Sequence, residues 1–396
     1  MTGQEEERLA RVALNRLAEP GDLRLAALVA ELGAVPGHRY LASERGAAGL
    51  ATDVATRLAG IDPRADLDRA KRRGLRFVIP GDDEWPPSLE DLDRVEPLHL
   101  RGGAPLGLWV RGPLSLDALT RSVAVVGSRS ATSYGTDLAG DIGAGLARAG
   151  WAVVSGAAFG IDQAAHRGAL GGEGVTVAVV ACGADRVYPA AHRPLLQHLA
   201  STAAVVSEAP PGGAPTRLRF LSRNRLIAAL TRGTVVVEAA ARSGALNTAS
   251  WADRLSRVLM GVPGPVTSAT SEGVHEVIRA GSATLVTGPD DVLELVGGAG
   301  DHLAGARRGE ERRRDRLTLR QQQVLDAVPL VRSAGADSIA RTAGMGATEV
   351  GAALDVLARG GFVERSPAGW RLAPEEPSAT RSDAPAGLDE ATPSPA

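Results

Sequence analysis

The apolar positions of the chain fall into segments with different periods. Leu9, Val12, Ala13 and Leu17 recur at helical spacing, and Leu25, Leu28, Val29 and Leu32 repeat the pattern. Side chains at such spacing share one helix face. Gly33 follows the second set as a stop signal, and Pro36-Gly37 punctuates the next connection. Residues 1–74 are expected to form a small helical domain of SAM- or HhH-like kind. Without a basic cluster it reads as a packing or interaction module.

Between 75 and 112 the pattern becomes extended. Arg76-Phe77-Val78-Ile79 ends at Pro80-Gly81, and Pro86-Pro87 blocks a helix. Leu98-His99-Leu100-Arg101 and Leu108-Trp109-Val110 are short strand candidates. This segment is expected to extend the edge of a larger sheet. From 122 to 297 apolar runs alternate with helical patterns. The runs are Val123–Val126, Trp151–Ser155, Val175–Ala181, Ala204–Ser207, Thr234–Ala239, Val258–Val262 and Thr284–Val286. Uninterrupted apolar strands are buried on both faces, as in parallel sheets. Their alternation with helices predicts a doubly wound α/β fold. Residues 75–297 are thus expected to be an extended Rossmann-like core with a mostly parallel sheet.

Gly297-Gly298 opens a linker at 298–316, where Arg residues interleave with acids as in a solvated connection. Helical patterns at 318–328, 336–342 and 347–359, then a hairpin at 362–372, predict a winged helix over 317–373. Its third helix carries Thr348, Glu349, Asp355 and Arg359 at polar positions, a poor surface for phosphate. A protein-contact or regulatory role is expected there rather than operator reading. Residues 374–396, rich in Pro, Ala, Ser and acids, are expected to be disordered.

Charge narrows the picture. The formal net charge is −2, so any nucleic-acid site must be a local patch. Lys71 is the single lysine; the remaining basic residues are Arg, as a high-GC coding bias would also produce. With Cys182 the sole cysteine, intrachain disulfides and cysteine metal clusters are excluded. The acidic start lacks an apolar signal core, and no uninterrupted apolar stretch of ~18 residues suggests a membrane span. A soluble, cytoplasmic protein is expected, with no membrane partner, metal or cofactor.

The chemistry gathers where strands end. Val123–Val126 runs into Gly127-Ser128-Arg129, and ligands of open α/β sheets sit beyond such ends. Free N–H groups at a following helix start attract anions, and Arg129 adds a charged fork. Ser155, Gly156 and Gly160 line a second loop, with Asp162 placed to cap the next helix. His166 follows on that helix, without the spacing of a triad or a metal site. Arg186 and Arg193 flank Tyr188, whose ring offers a stacking face. In Phe220-Leu-Ser-Arg223-Asn224-Arg225 a helix is expected to begin near Ser222. Arg223 and Arg225 would then oppose the helix dipole unless an anion lies opposite. Asn224 can bond a phosphate or a base edge. Glu238 at a strand end is expected to organise Arg129 or Arg223, while Ser243, Gly244 and Thr248 supply donors at another helix start. A single nucleotide needs one such loop; a chain of phosphates needs several along a groove.

These segments in this order resemble the DprA/Smf DNA-processing family. The resemblance spans about residues 75–290 and rests on GSR at 127–129, SGAAFGID at 155–162 and YP at 188–189, then RNR at 223–225, EAAARSGALNT at 238–248 and VPG at 262–264. It implies a single-stranded-DNA-binding core, often homodimeric, that loads RecA recombinase onto incoming strands during natural transformation. It also implies strand binding by Arg129, Arg223 and Arg225. The chain departs from the family where Leu221, not Pro, follows Phe220, and where Ala190 replaces the usual basic residue after Tyr188-Pro189. Arg193 would then substitute for that missing contact. The late core, 250–290, is the expected dimer surface.

Two other classes compete. A Rossmann-like nucleotide hydrolase of the phosphoribohydrolase type would show Pro-Gly-Gly-x-Gly-Thr-x-x-Glu, but Pro211-Gly212-Gly213 is followed by Ala-Pro-Thr. A winged-helix transcription regulator is disfavoured by the acidic third helix. The expectation is a non-enzymatic strand binder.

Overall fold

In a computed structural model of the chain, residues 3–43, 52–303 and 312–374 are described. They divide into two compact units, one up to residue 304 and one from 305 onward.

The first unit is built on one nine-stranded sheet. Its strands are β1 (Leu75–Val78), β2 (Leu108–Arg111), β3 (Ser122–Val126), β4 (Ala152–Ser155), β5 (Thr176–Val179), β6 (Ala204–Ser207), β7 (Gly233–Val236), β8 (Val258–Gly261) and β9 (Thr284–Leu285). Their order across the sheet is β1-β2-β6-β5-β4-β3-β7-β8-β9. From β6 to β9 every pairing is parallel. The hairpin β1–β2 joins the β6 edge antiparallel, as the extended pattern at 75–112 predicts. The fold is a Rossmann-like α/β domain.

Alternation along β3 shows why the strands read as unbroken apolar runs. Val123 and Val125 pack into the core on one face, while Ala124 and Val126 pack into the core on the other. Helices Ser133–Arg148, Ile161–Gly171 and Pro289–Val296 supply the first layer. Helices Arg217–Ala229, Ala245–Arg254 and Glu272–Arg279 supply the second. The chain runs β3 to β6 in one direction, then returns to place β7 on the other side of β3. β3 and β7 therefore flank the point where the winding reverses, and in such sheets the crevice for a ligand opens there.

Residue 74 lies inside the first unit, and the N-terminal helices have a small core of their own beside one shared with the sheet. Helix Gly3–Leu17 contributes Ala13, Leu14 and Leu17 to a small core with Leu25 and Leu58. On its other side Val12 joins Ala70, Phe77 and Trp109 in a core shared with β1 and β2. A polar seam reinforces this contact: Asn15 accepts from Trp109 Nε1 at 2.9 Å and donates to the Glu208 carbonyl at 2.8 Å. The stop signal at Gly33 holds, since its N–H bonds the Val29 carbonyl at 2.8 Å after helix Leu23–Leu32.

One strand candidate is corrected. Leu98–Arg101 is a tight turn closed by reciprocal bonds of 2.9 and 3.1 Å between its end residues. Four residues that bond each other end to end have no edge left for the sheet.

The second unit contains helices Leu319–Ala327, Ala336–Ala343 and Ala347–Arg359, then a hairpin of β10 (Val363–Ser366) and β11 (Gly369–Leu372). Val324, Ile339, Leu354 and Trp370 share its core. Of the linker expected at 298–316, residues 304–311 lie outside the described residues, as does the expected tail from 375 on.

Candidate functional site

A cleft of about 1060 Å³ opens at the C-terminal ends of the parallel strands, over the reversal between β3 and β7. Its lining includes Gly127, Ser128 and Arg129 after β3, and Ser243 and Gly244 after β7. Tyr188, Arg223, Asn224 and Asp162 also face it. With Thr248, ten of the residues singled out from sequence converge on this surface.

The helix carrying Arg223 starts earlier than the sequence suggests. Thr216 caps it, accepting from the Arg219 N–H at 3.2 Å, and the helix runs Arg217–Ala229. Arg217 and Arg219, not Arg223 and Arg225, oppose the dipole in the first turn. Arg219 is neutralised by both oxygens of Glu19, at 2.7 and 2.8 Å. Arg217 is exposed and lines the cleft with no such partner among the described residues. The sequence signal for this start is Thr216, a capping residue ahead of Arg217-Leu218-Arg219.

Arg223 lies buried at the cleft floor. Its Nη1 donates to the Val179 carbonyl at 2.7 Å and its Nε to Asn224 Oδ1 at 3.1 Å. Burial lowers its pKa to about 10, opposed by Asp162 and aided by Arg129, so it stays cationic at neutral pH. Gly156 is required here: a Cβ on it would stand 1.8 Å from Arg223 Nη1. Asn224 in turn donates to Asn247 Oδ1 at 3.1 Å and to the Gly244 carbonyl at 3.3 Å, tying the helix to the loop after β7.

Aromatic rings and cations pack together at the rim. The Arg129 guanidinium lies 4.7 Å from the Phe220 ring centroid, and Arg223 lies 5.8 Å from the same ring. Tyr188, 44% exposed, packs on Phe220 at 5.8 Å. Such a face can hold both a phosphate and a base.

The acids here are already engaged. Asp162 does not cap its own helix; its Oδ2 accepts from the Gly156 and Ala158 N–H groups at 3.1 and 3.3 Å, bracing the preceding loop. Burial raises its pKa, with Arg223 and these hydrogen bonds opposing. Gly160 before it has φ of 75°, a region suited to glycine. Glu238 pairs with neither Arg129 nor Arg223, contrary to expectation. Its carboxylate takes the Thr132 N–H at 2.9 Å, the Thr132 hydroxyl at 2.6 Å and the Thr270 hydroxyl at 3.2 Å. Its carbonyl holds the Ser128 N–H at 2.7 Å. Glu238 therefore shapes the loop that presents Arg129.

Other expected residues stand elsewhere. Arg225 is a core residue with a fully covered side chain, paired with Glu208 at 2.6 and 2.7 Å, and so is removed from the strand-facing set. Two residues of helix rotate it about 200° from Arg223. Ser155 is buried with its hydroxyl on the Val125 carbonyl at 2.7 Å. Arg186 is exposed beside the cleft, donating to the Gly212 carbonyl at 3.1 Å, and Arg193 is exposed at the start of helix Arg193–Thr202. His166 is buried against Thr176, at 2.7 Å through Nδ1, and burial lowers its pKa to about 3.

Sequence reasoning missed Arg217, Phe220, Arg242 and His99 as lining residues. The cleft thus gathers Arg129, Arg217, Arg223 and Arg242. Among the described residues none of these four has a carboxylate within salt-bridge distance. No cluster of three or more His, Cys, Asp or Glu side chains suited to a metal occurs among the described residues, nor any helix long and apolar enough to cross a membrane.

The chain matches the family model described as DNA recombination-mediator protein A over residues 76–297. It is 46% identical to a DprA protein of Mycobacterium tuberculosis over 365 residues, covering 91% of this chain and 92% of the relative. It is 40% identical to DNA processing protein DprA of Streptococcus pneumoniae over 209 residues, 52% of this chain and 73% of the relative. The X-ray structure of the Streptococcus pneumoniae DprA matches with a TM-score of 0.59 at 32% identity, covering 71% of this chain and 95% of that one.

Proposed function

We propose that this chain, which belongs to the DNA recombination-mediator protein A family, binds single-stranded DNA in the cleft over β3 and β7 without altering it chemically. One observation carries the reading: four arginines line the cleft without carboxylate partners, beside an acid whose oxygen is held by backbone N–H groups. Cations without salt-bridge partners along an open groove suit a phosphate chain. Arg129 and Arg217 contact phosphates at the rim, Arg223 sets the potential of the floor, and Tyr188 and Phe220 stack on a base. Ser128, Ser243 and Gly244 offer loop donors, while Arg186 and Arg193 extend the basic track. Aromatic residues are only 3% of the chain, so charge outweighs stacking. No metal or nucleotide cofactor enters this mechanism.

Fluorescence anisotropy of labelled oligo-dT and of its duplex, at two salt concentrations, tests it. Affinity for the single strand is expected to fall with salt, with a log–log slope of ~0.7 per phosphate neutralised. The Arg129→Ala/Arg217→Ala protein is expected to bind weakly and with a shallower slope. A folded wild-type protein that ignores single strands would sink the reading.

In the same reading the bound strand is handed to RecA recombinase, as in natural transformation, by a cytoplasmic homodimer joined through residues 250–290. The second unit acts as a winged helix that contacts protein. Light scattering showing a monomer at micromolar concentration would remove the dimer. Unchanged RecA filament growth on single strands in its presence would remove the hand-off.

A further inference from the structure

The turn at Leu98–Arg101 puts an apolar side chain where neither solvent nor backbone favours it. His99 and Leu100 are its central residues, with φ of 51° and 59°. Two-residue turns with both central residues in this region favour Asn-Gly, because a Cβ crowds the backbone there. Leu100 is also 82% exposed. Single exposed leucines are ordinary on protein surfaces; one held at a left-handed turn position is not.

The turn is braced on both stems. Leu98 packs against the main core, Arg101 donates to the Pro20 carbonyl at 3.4 Å, and the Gly102 N–H meets the Gly21 carbonyl at 3.3 Å. Its tip reaches the cleft through His99, a lining residue together with Phe220, Leu221, Leu246 and Asn247, and Leu100 follows it, exposed to solvent. The arginines of that cleft neutralise phosphates but do not part stacked bases. Short apolar side chains can do so, as wedges between base steps.

We propose that Leu100 is a base wedge: it inserts between neighbouring bases of a strand lying in the cleft, with His99 against the base or sugar beside it. The site takes unstacked single-stranded nucleic acid and holds its register. The wedge rests on the strand-binding reading above.

The test replaces both tip residues by the pair the turn prefers, His99→Asn/Leu100→Gly, which keeps the turn and removes the wedge. Thermal unfolding checks the fold, and the melting temperature is expected to stay level or rise. The probe is an adenine-rich oligonucleotide with one central 2-aminopurine, whose fluorescence increases when its neighbours unstack. Wild-type protein is expected to brighten it. The variant is expected to bind roughly three- to tenfold more weakly and to leave the probe dim. Equal affinity and equal brightening in the two proteins overturn the wedge while leaving strand binding intact. A wild-type protein that binds no single strand overturns both.

Discussion

Helix Arg217–Ala229 divides two regions that treat charge in opposite ways. On the side toward the N-terminal helices, Arg225 meets both oxygens of Glu208 and also donates to the Gly103 and Ser222 carbonyls at 3.1 Å each. The Arg225 charge in that seam thus has its counter-charge in Glu208. On the cleft side, Arg223 is also buried but is held by a carbonyl and an amide oxygen. Its nearest acid, Asp162, spends its hydrogen bonds on the loop at 156–158. A closed seam stabilises the fold. An open one keeps cationic potential available to an anion from outside. Two arginines from one short motif thus differ in kind, and the difference comes from which neighbour each helix face meets.

The contrast is most exposed to failure at Arg225. Arg225→Met leaves the Glu208 carboxylate buried without its partner, and about 3–5 kcal/mol of stability is expected to be lost. Urea unfolding measures this; oligo-dT affinity per folded molecule is expected to hold. If affinity collapses while stability holds, the seam is part of the binding surface and the comparison fails.

A second prediction concerns pH. His166 has its pKa lowered to about 3 by burial, from an ordinary 6.5. The unfolded chain therefore takes up a proton below pH 6.5 that the folded chain refuses. Stability is fully present above 6.5 and is lost as pH falls toward 3, by about 2 kcal/mol at pH 5. Thermal melts from pH 7 to 5 should show the decline, and His166→Gln should flatten its share.

On the cleft side the largest effect is expected from Arg129→Ala. Stability should change by less than about 0.5 kcal/mol, while oligo-dT affinity falls roughly tenfold, or about 1.4 kcal/mol. The salt slope should drop by ~0.7 if one phosphate contact is removed. Arg186→Ala is expected to be weaker, less than about threefold, because Arg186 stands outside the cleft lining and is tethered to Gly212. Equal effects at Arg129 and Arg186 would move the strand path toward the 183–193 loop.

Much of this molecule is legible in its sequence. Runs such as Val123–Val126 are apolar at every position because the sheet is covered on both faces, so their location and parallel pairing follow from one-dimensional pattern. The strand-end loops bearing Arg129, Tyr188 and Ser243 were legible for the same reason: loop chemistry follows each apolar run. What the pattern could not decide was facing. Arg223 and Arg225 look alike in sequence, and only the packing of Glu208 and Val179 on opposite sides of their helix separates them. Glu238 could be assigned an arginine as readily as a threonine until β7 and the loop after β3 were set side by side. The Leu98–Arg101 turn imitates a strand because alternating residues are all that a four-residue window offers. Local sequence determines which elements form, since backbone propensity and burial period act over a few residues. Tertiary structure decides which charges are satisfied, since a salt bridge or an open cleft depends on residues that the chain brings together from far apart.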